Sequence, residues 1–368
     1  MTLTRWPVIE QNEINLVLEV LKNGILVKGP FRRELQDAFG HYVGVPFCLA
    51  VSSCTHALHA ALRAIGVGNH DEVLVPNLTY CGSVSPILVS GATPVFVDVN
   101  ETDFNLSLDD AAGKRTNRTK AIIVVHLHGY PCDINAVRNA LPGLMVIEDA
   151  CQAHGAKRGT EFAGSWGDVA CFSLNQVKPL CGGQGGLITS KDPNIWSAIC
   201  DYCSPGQHST VGLNYEITEV SAAIAFSQLA KLESILGKAN SNFQTFRSAI
   251  EPKGPVRIQE CETDVRPTWH KVRLQVPEGS LQRYLEALQR RKIPYETWPN
   301  TLVSQRSEYS VYRALTPVAE KIMQTSFILG NEEYPFHAQD EEIVIQWATA
   351  VNEIGIELES ELEDTMRK

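Results

Sequence analysis

No apolar run in the 368-residue sequence approaches the ~20 residues that a membrane-spanning helix requires, so a helical membrane protein is excluded. A basic excess is missing too. Lysine and arginine number 32 against 42 aspartates and glutamates, a formal charge of -10 that leaves no cationic footprint for nucleic acid or anionic lipid. The start Met1-Thr2-Leu3-Thr4-Arg5-Trp6-Pro7 lacks the basic, apolar and small-residue parts of a secretory signal, which makes the cytoplasm the expected compartment. Internal repeats, low-complexity tracts and long Pro/Gly linkers are absent. The ten cysteines form no disulfide framework, and most are expected to be reduced, small buried hydrophobes. Cys200-Asp201-Tyr202-Cys203 has C-x-x-C spacing without a second pair, so cysteines on one helix face explain it better than a metal.

What is present is ample core-forming material, with 44% apolar and 20% charged residues, enough for more than one domain. Glu72 to Val75, Pro94 to Val99, Ala121 to Leu127, Leu144 to Glu148, Val169 to Leu174 and Gly186 to Thr189 read as buried strands. They alternate with helical patterns: Thr55 to Ile65 spaces Leu58, Ala61, Leu62 and Ile65 on one face, and Thr218 to Leu236 repeats the period behind a Thr218 cap. The prediction is an α/β fold with a covered, mostly parallel sheet. After about Gly237 the composition changes. A strand-like alternation from Thr268 to Val276, then helices over Ser280 to Arg291 and Glu341 to Ile354, predict a smaller α+β domain, dividing the chain into 1–237 and 238–368.

Asp149 closes the run Leu144-Met145-Val146-Ile147-Glu148, which puts it at the carboxyl end of a strand, where open α/β sheets build ligand crevices. A lone Asp there is ordinarily a cap. Its neighbour Glu148 alternates to the opposite face and is expected as a structural partner. Lys178 follows 29 residues later, beyond a second strand. Most lysines are solvated surface charges, whereas one that forms imines must be partly neutral, hence desolvated or near other positive charge. An acid that keeps a pyridine nitrogen protonated and a lysine that carries an aldehyde as a Schiff base are the two groups pyridoxal-phosphate chemistry requires. Val51-Ser52-Ser53-Cys54-Thr55-His56 offers hydroxyls and amides where a strand passes into a helix, which suits a phosphate as well as a plain cap. Ser173 is a second hydroxyl within reach of the same phosphate, and Tyr80 has a ring able to lie on a cofactor or simply to pack. Gly182-Gly183-Gln184-Gly185-Gly186 does not fit a dinucleotide fingerprint; it lets the backbone turn beside the lysine and re-enter the sheet.

In order, these motifs resemble the DegT/StrS family of pyridoxal-phosphate aminotransferases, most of which aminate nucleotide-linked keto sugars. The resemblance runs from about Gly24 to Leu236 and includes Gly29-Pro30 with Glu34, Ser52-Ser53-Cys54-Thr55, Pro76-Asn77-Leu78-Thr79-Tyr80 and Gly91-Ala92-Thr93-Pro94-Val95-Phe96-Val97-Asp98-Val99. It implies a fold type I large domain holding pyridoxal 5'-phosphate. Ser53, Cys54, Thr55 and Ser173 would surround the phosphate, Tyr80 the ring, Asp149 the pyridine nitrogen and Gln152 the phenolic oxygen, with Lys178 carrying the Schiff base. Gly212-Leu213-Asn214-Tyr215 is similar to the segment whose asparagine reaches the phosphate in the neighbouring subunit, which implies a homodimer with shared active sites. The implied reaction moves an amino group from glutamate or glutamine to a keto sugar. A cyclitol or other small ketone as acceptor, or a non-catalytic regulatory member, are the alternatives. The chain departs from the family pattern at Cys54, where glycine is usual, at Gln184, where glutamate is usual, at Asn175-Gln176 before the lysine, and at Tyr295-Glu296-Thr297-Trp298-Pro299-Asn300, which lacks the usual histidine. Lys178 itself argues against the histidine-bearing dehydratases of the family.

Overall fold

The computed structural model describes residues 2–204, 211–312 and 314–366. At its centre lies a seven-stranded sheet in the order Phe47–Val51, Gly186–Ser190, Val169–Ser173, Met145–Asp149, Thr119–Val125, Glu72–Pro76, Thr93–Val97. Gly186–Ser190 runs antiparallel to both neighbours, and the other pairs are parallel. Strands covered on both faces need apolar side chains on both, and Glu72–Pro76, Val169–Ser173 and Gly186–Ser190 are buried throughout. The architecture is the α/β fold the alternating pattern predicts.

Register decides where the chemistry falls. Val125 lies opposite Asp149 and Asp149 opposite Cys171, so these parallel strands finish together at one edge. Gly186 begins the antiparallel strand at that same edge, opposite Val51 and Ser173. Everything that follows the strands there, including residues 53–55, 79–83, 149–152 and 173–178, is delivered to one place.

Helix ends are fixed by short polar side chains. Ser53, Ser107, Asp133, Asp192 and the expected Thr218 each accept an amide from the first turn they precede. Two buried acids do the same from afar. Glu219 accepts the amides of Gly29, Phe31 and Arg32 at the start of helix Pro30–Val43, and Asp98 accepts those of Val318 and Ala319 in helix Pro317–Thr325. Each places negative charge at the positive end of a helix dipole.

The helix expected to end at Leu236 instead runs to Ala249, because Ala239, Asn242, Phe243 and Phe246 prolong its buried face through Gly237. The proposed division at 237/238 therefore falls inside a helix that both parts share. Beyond it, the antiparallel strands Arg257–Ile258, Val272–Gln275, Ser326–Leu329 and Tyr295–Glu296 form a second sheet, with a core of its own in which Trp269 stacks on Phe243. The N-terminal segment bridges to this part through Thr4 on Gln339 and Trp6 on Glu333. Among the described residues no helix is long and apolar enough to cross a membrane.

Gly186 is where the sheet presses on the helix Cys54–Ala64. A Cβ there would lie 2.6–2.7 Å from the backbone of Ser53 and Cys54. Gly186→Ala should therefore lower stability by about 1–3 kcal/mol, read as a lower urea midpoint; an unchanged midpoint would show that the two backbones can part freely.

Candidate active site

The carboxyl edge of the sheet opens into a cavity of about 370 Å³ whose walls carry Ser53, Cys54, Thr55, Tyr80, Asp149, Gln152, Ser173 and Lys178. Of the nine residues that the resemblance assigns to the cofactor, only Asn214 lies elsewhere. It is exposed, with its side-chain oxygen accepting the Glu216 amide.

Asp149 is buried at the strand end, accepting the Ser83 hydroxyl at 2.6 Å on one oxygen and the Cys151 amide at 3.2 Å on the other. Burial raises its pKa, while these two hydrogen bonds and the charge of Lys178 pull the other way. A cationic N–H partner would complete its coordination. Glu148, one residue earlier, faces the other side as expected. There it accepts His126 Nε2 at 2.9 Å and the amides of Gly164, Trp166 and Gly167. Burial works against its charge, but those donors more than offset it and its pKa is lowered.

Lys178 sits in a loop built by its own short polar residues. The Asn175 amide donates to Ser173 Oγ, the Val177 amide to Asn175 Oδ1 and the Lys178 amide to the Asn175 carbonyl. Trp6 Nε1 donates to the Lys178 carbonyl at 3.2 Å. Gly183 at φ +79° and Gly185 at φ +149° return the chain to the sheet, in conformations that favour glycine. Although its surface is only half-buried, loss of bulk water is the largest influence on the amine. With the charge of Lys271 added, its pKa falls to about 8 despite Asp149, Glu332 and Glu296. An amine so placed is partly neutral near neutral pH, which imine chemistry asks for.

At the other end of the cavity, helix Cys54–Ala64 points its N-terminus inward. Ser53 Oγ caps the His56 amide, and the amides of Cys54 and Thr55 have no partner among the described residues. Two free amides on a helix dipole beside the Thr55 and Ser173 hydroxyls can hold a phosphate.

A sequence profile of the DegT/DnrJ/EryC1/StrS aminotransferase family matches residues 7–343. The chain belongs to that family. It is 33% identical over 254 residues to a GDP-perosamine synthase of Escherichia coli O157:H7, covering 67% of this chain and 69% of that one. It is also 33% identical to the spore coat polysaccharide biosynthesis protein SpsC of Bacillus subtilis, covering 74% and 75%. Among solved structures it is similar to an aminotransferase of Psychrobacter cryohalolentis, at 27% identity and TM-score 0.89 over 96% of this chain and 98% of that one. DesV of S. venezuelae, solved with a ketimine intermediate, gives 28% and 0.87 over 95% and 98%.

Aminotransferases of the DegT/DnrJ/EryC1/StrS family depend on pyridoxal phosphate, and the residues present fit that group. An anion-ready helix end, an under-coordinated buried acid and a desolvated lysine share a single cavity. Several lining residues were not legible in the sequence. Ser83 reaches Asp149 from the loop after Glu72–Pro76 and also contacts Thr79 Oγ1 at 3.0 Å. Lys271 and Trp298 arrive from the second sheet, where buried Lys271 pairs with Glu296 and lies 5.3 Å from the Trp298 ring. Buried Arg273 fixes this wall through His128, Ser326 and the Trp298 carbonyl.

Eight of the ten cysteines are free, in line with the expectation that most are reduced, while Cys54 and Cys151 are joined by a disulfide. They are 97 residues apart in sequence, and nothing in their spacing announces that the sheet brings a helix start and a strand end together.

The depressed pKa of Lys178 sets the sign of a pH effect on cofactor-free protein. Below about pH 8 both folded and unfolded chains carry the proton, and the folded chain bears the full cost of a desolvated ammonium. As pH rises from about 8 towards the unfolded value of 10.5, only the unfolded chain keeps it, so stability increases, by at most about 3 kcal/mol. Urea titrations of wild type and Lys178→Met should diverge over that window, the variant lacking this rise. Parallel curves would mean the amine is solvated.

Proposed function

We propose that the protein transfers an amino group from glutamate or glutamine to a keto sugar carried on a nucleotide, with pyridoxal phosphate as cofactor and the eight cavity residues as its working parts. The observation that carries this reading is the placement of a half-buried Lys178 and a buried Asp149 on one cavity beside an open helix N-terminus.

When bound, the cofactor supplies an electron-withdrawing ring that makes the carbon next to the transferred nitrogen acidic. The chain does the rest. The amides of Cys54 and Thr55, with the Ser53, Thr55 and Ser173 hydroxyls, anchor the phosphate. Asp149 keeps the pyridine nitrogen protonated, itself oriented by Ser83 and the Cys151 amide. Gln152 lines the cavity, and with its side-chain oxygen accepting the His128 amide at 2.8 Å it would have its NH₂ group to donate to the phenolic oxygen. Tyr80 flanks the ring. With the cofactor in place, Lys178 Nζ would take the α proton of the donor amino acid and give it back on the far side of the transferred nitrogen, and with the sugar it would make the same two transfers in reverse order. A poise near pH 8 suits a group that must both take and give a proton. Holding amine and α carbon together supplies part of the rate through effective molarity, worth up to ~7–11 kcal/mol in favourable cases.

The keto-sugar acceptor is supported by the relatives, a GDP-perosamine synthase among them. A cavity of about 370 Å³ is in the size range of cofactor and small-molecule sites. Lys271 and Trp298 are the side chains of the second sheet best placed to meet the sugar or the donor's carboxylate.

A homodimer with shared sites completes the reading, and a cytoplasmic location goes with it. Ile14, Leu18, Leu21, Ile25, Leu26 and Val27 are about half exposed along one stretch, and Leu213 is exposed beside Asn214. Such surface is consistent with a covered face, and an Asn214 lent to the neighbouring phosphate would explain its absence from this cavity.

Two experiments test these assignments. With glutamate as donor, Asp149→Asn should slow formation of the keto acid by at least about a hundredfold, a loss of ~3 kcal/mol of transition-state stabilisation, while still binding cofactor; an unchanged rate contradicts its role. Mixing inactive Lys178→Ala and Asn214→Ala subunits should restore about one quarter of wild-type activity, because half the dimers of a two-fold pair then hold one intact site. Mixtures that stay inactive speak against sharing.

A further inference from the structure

The Cys54–Cys151 disulfide lies in the wall of the active-site cavity rather than in a distant core. Cys54 is the first residue of the helix whose amides open on the phosphate end. Cys151 follows Asp149 by two residues, and its amide holds Asp149 Oδ1 at 3.2 Å. Both sulfurs and a carboxylate oxygen of Asp149 lie within 4.8 Å of one another. The covalent link thus joins the two loops that would grip the cofactor at opposite ends. Without it, each loop keeps only its own hydrogen bonds, Ser53 capping one and Ser83 steadying the other.

We propose that Cys54–Cys151 is an exchange site for small thiols of the glutathione class, and that exchange is thermodynamically coupled to cofactor binding. The inference rests on the cofactor reading of this cavity. A thiolate entering the cavity attacks Sγ of Cys151, the less buried of the pair. A mixed disulfide forms and Cys54 departs as a thiolate, taking up a proton from solvent. A second thiol then attacks the mixed disulfide. The protein disulfide gains two electrons and two protons, and two small thiols become one small disulfide; the oxidising direction is the reverse.

The direction of the coupling follows from the geometry. A bond that fixes the spacing of the phosphate turn and the Asp149 loop removes the ordering that the cofactor would otherwise have to bring about, so the disulfide form binds more tightly. Linkage is reciprocal: a cofactor that prefers the disulfide must also stabilise it against reduction. A cofactor filling the cavity would in addition cover the route to Cys151. The other cysteines do not share this position. Cys171, Cys181 and Cys203 are buried, with burial raising each thiol above its ordinary range, and none lines the cavity.

The test uses full-length protein stripped of cofactor and equilibrated anaerobically in glutathione buffers of graded ratio with a chelator present. Alkylation and peptide mass spectrometry report the Cys54–Cys151 state; after the glutathione is removed, pyridoxal phosphate is titrated by fluorescence. We expect affinity to fall about tenfold on reduction. Saturating cofactor should then lower the midpoint potential of the pair by about 30 mV, the same factor expressed for a two-electron couple. Cys151→Ser should bind as reduced wild type does and ignore the buffer ratio, whereas Cys203→Ser should respond as wild type does. If Cys151→Ser does not fold, Cys54→Ser takes its place with the same expectation of insensitivity. Equal affinity in both redox states, or full alkylation of both thiols in the most oxidising buffer, overturns the proposal while leaving the aminotransferase reading intact. Failure to bind pyridoxal phosphate in either state overturns both.

Discussion

Keeping the amine of Lys178 out of bulk water is the constraint on which the rest of the structure depends. An ordinary lysine is protonated at neutral pH and useless as a nucleophile or base. This one is brought to about 8 chiefly by burial, with the nearby charge of Lys271 acting in the same direction. The fold accepts that cost in the cofactor-free state, and the loop is correspondingly well held. Ser173, Asn175, Trp6 and the left-handed glycines each secure a piece of backbone around the lysine. A loop without such ties would relax and let the ammonium find water.

The sheet supplies the complementary half. Because the parallel strands end in register, a single edge gathers a helix N-terminus, a buried acid and the lysine loop without any long-range search. Neighbouring residues Glu148 and Asp149 show how one strand divides its labour. The first is saturated by His126 and three amides, which locks the turn behind the strand. The second is left with two donors, one a hydroxyl, so that a cationic partner still gains from joining it. Full satisfaction on one face gives rigidity, and partial satisfaction on the other leaves room for a ligand.

Much of this could be read from the chain because it is local. Strand and helix periods placed Asp149 at a strand end, Thr218 at a helix start and the glycine cluster at the turn beside Lys178. The unread parts all depend on the tertiary arrangement. Nothing near Glu219 says that its carboxylate will cap a helix 190 residues earlier, nor does Asp98 advertise Val318. Lys271 borders a strand that the alternation from Thr268 to Val276 does announce, but nothing local says that it or Trp298 will line the cavity, and the Cys54–Cys151 bond exists only because a helix start and a strand end meet. The extension of the long helix past Gly237 has the same origin, since the aromatic face that holds it is met only in the folded protein. On the proposed dimer, Asn214 goes one step further, because its partner would lie outside a single chain.

The account stands or falls on the covalent chemistry of one side chain. Protein saturated with pyridoxal phosphate, reduced with borohydride and digested, should yield the phosphopyridoxyl mass on the peptide containing Lys178 and on no other lysine in stoichiometric amount. Finding that peptide unmodified, or the label on Lys271 instead, would contradict it.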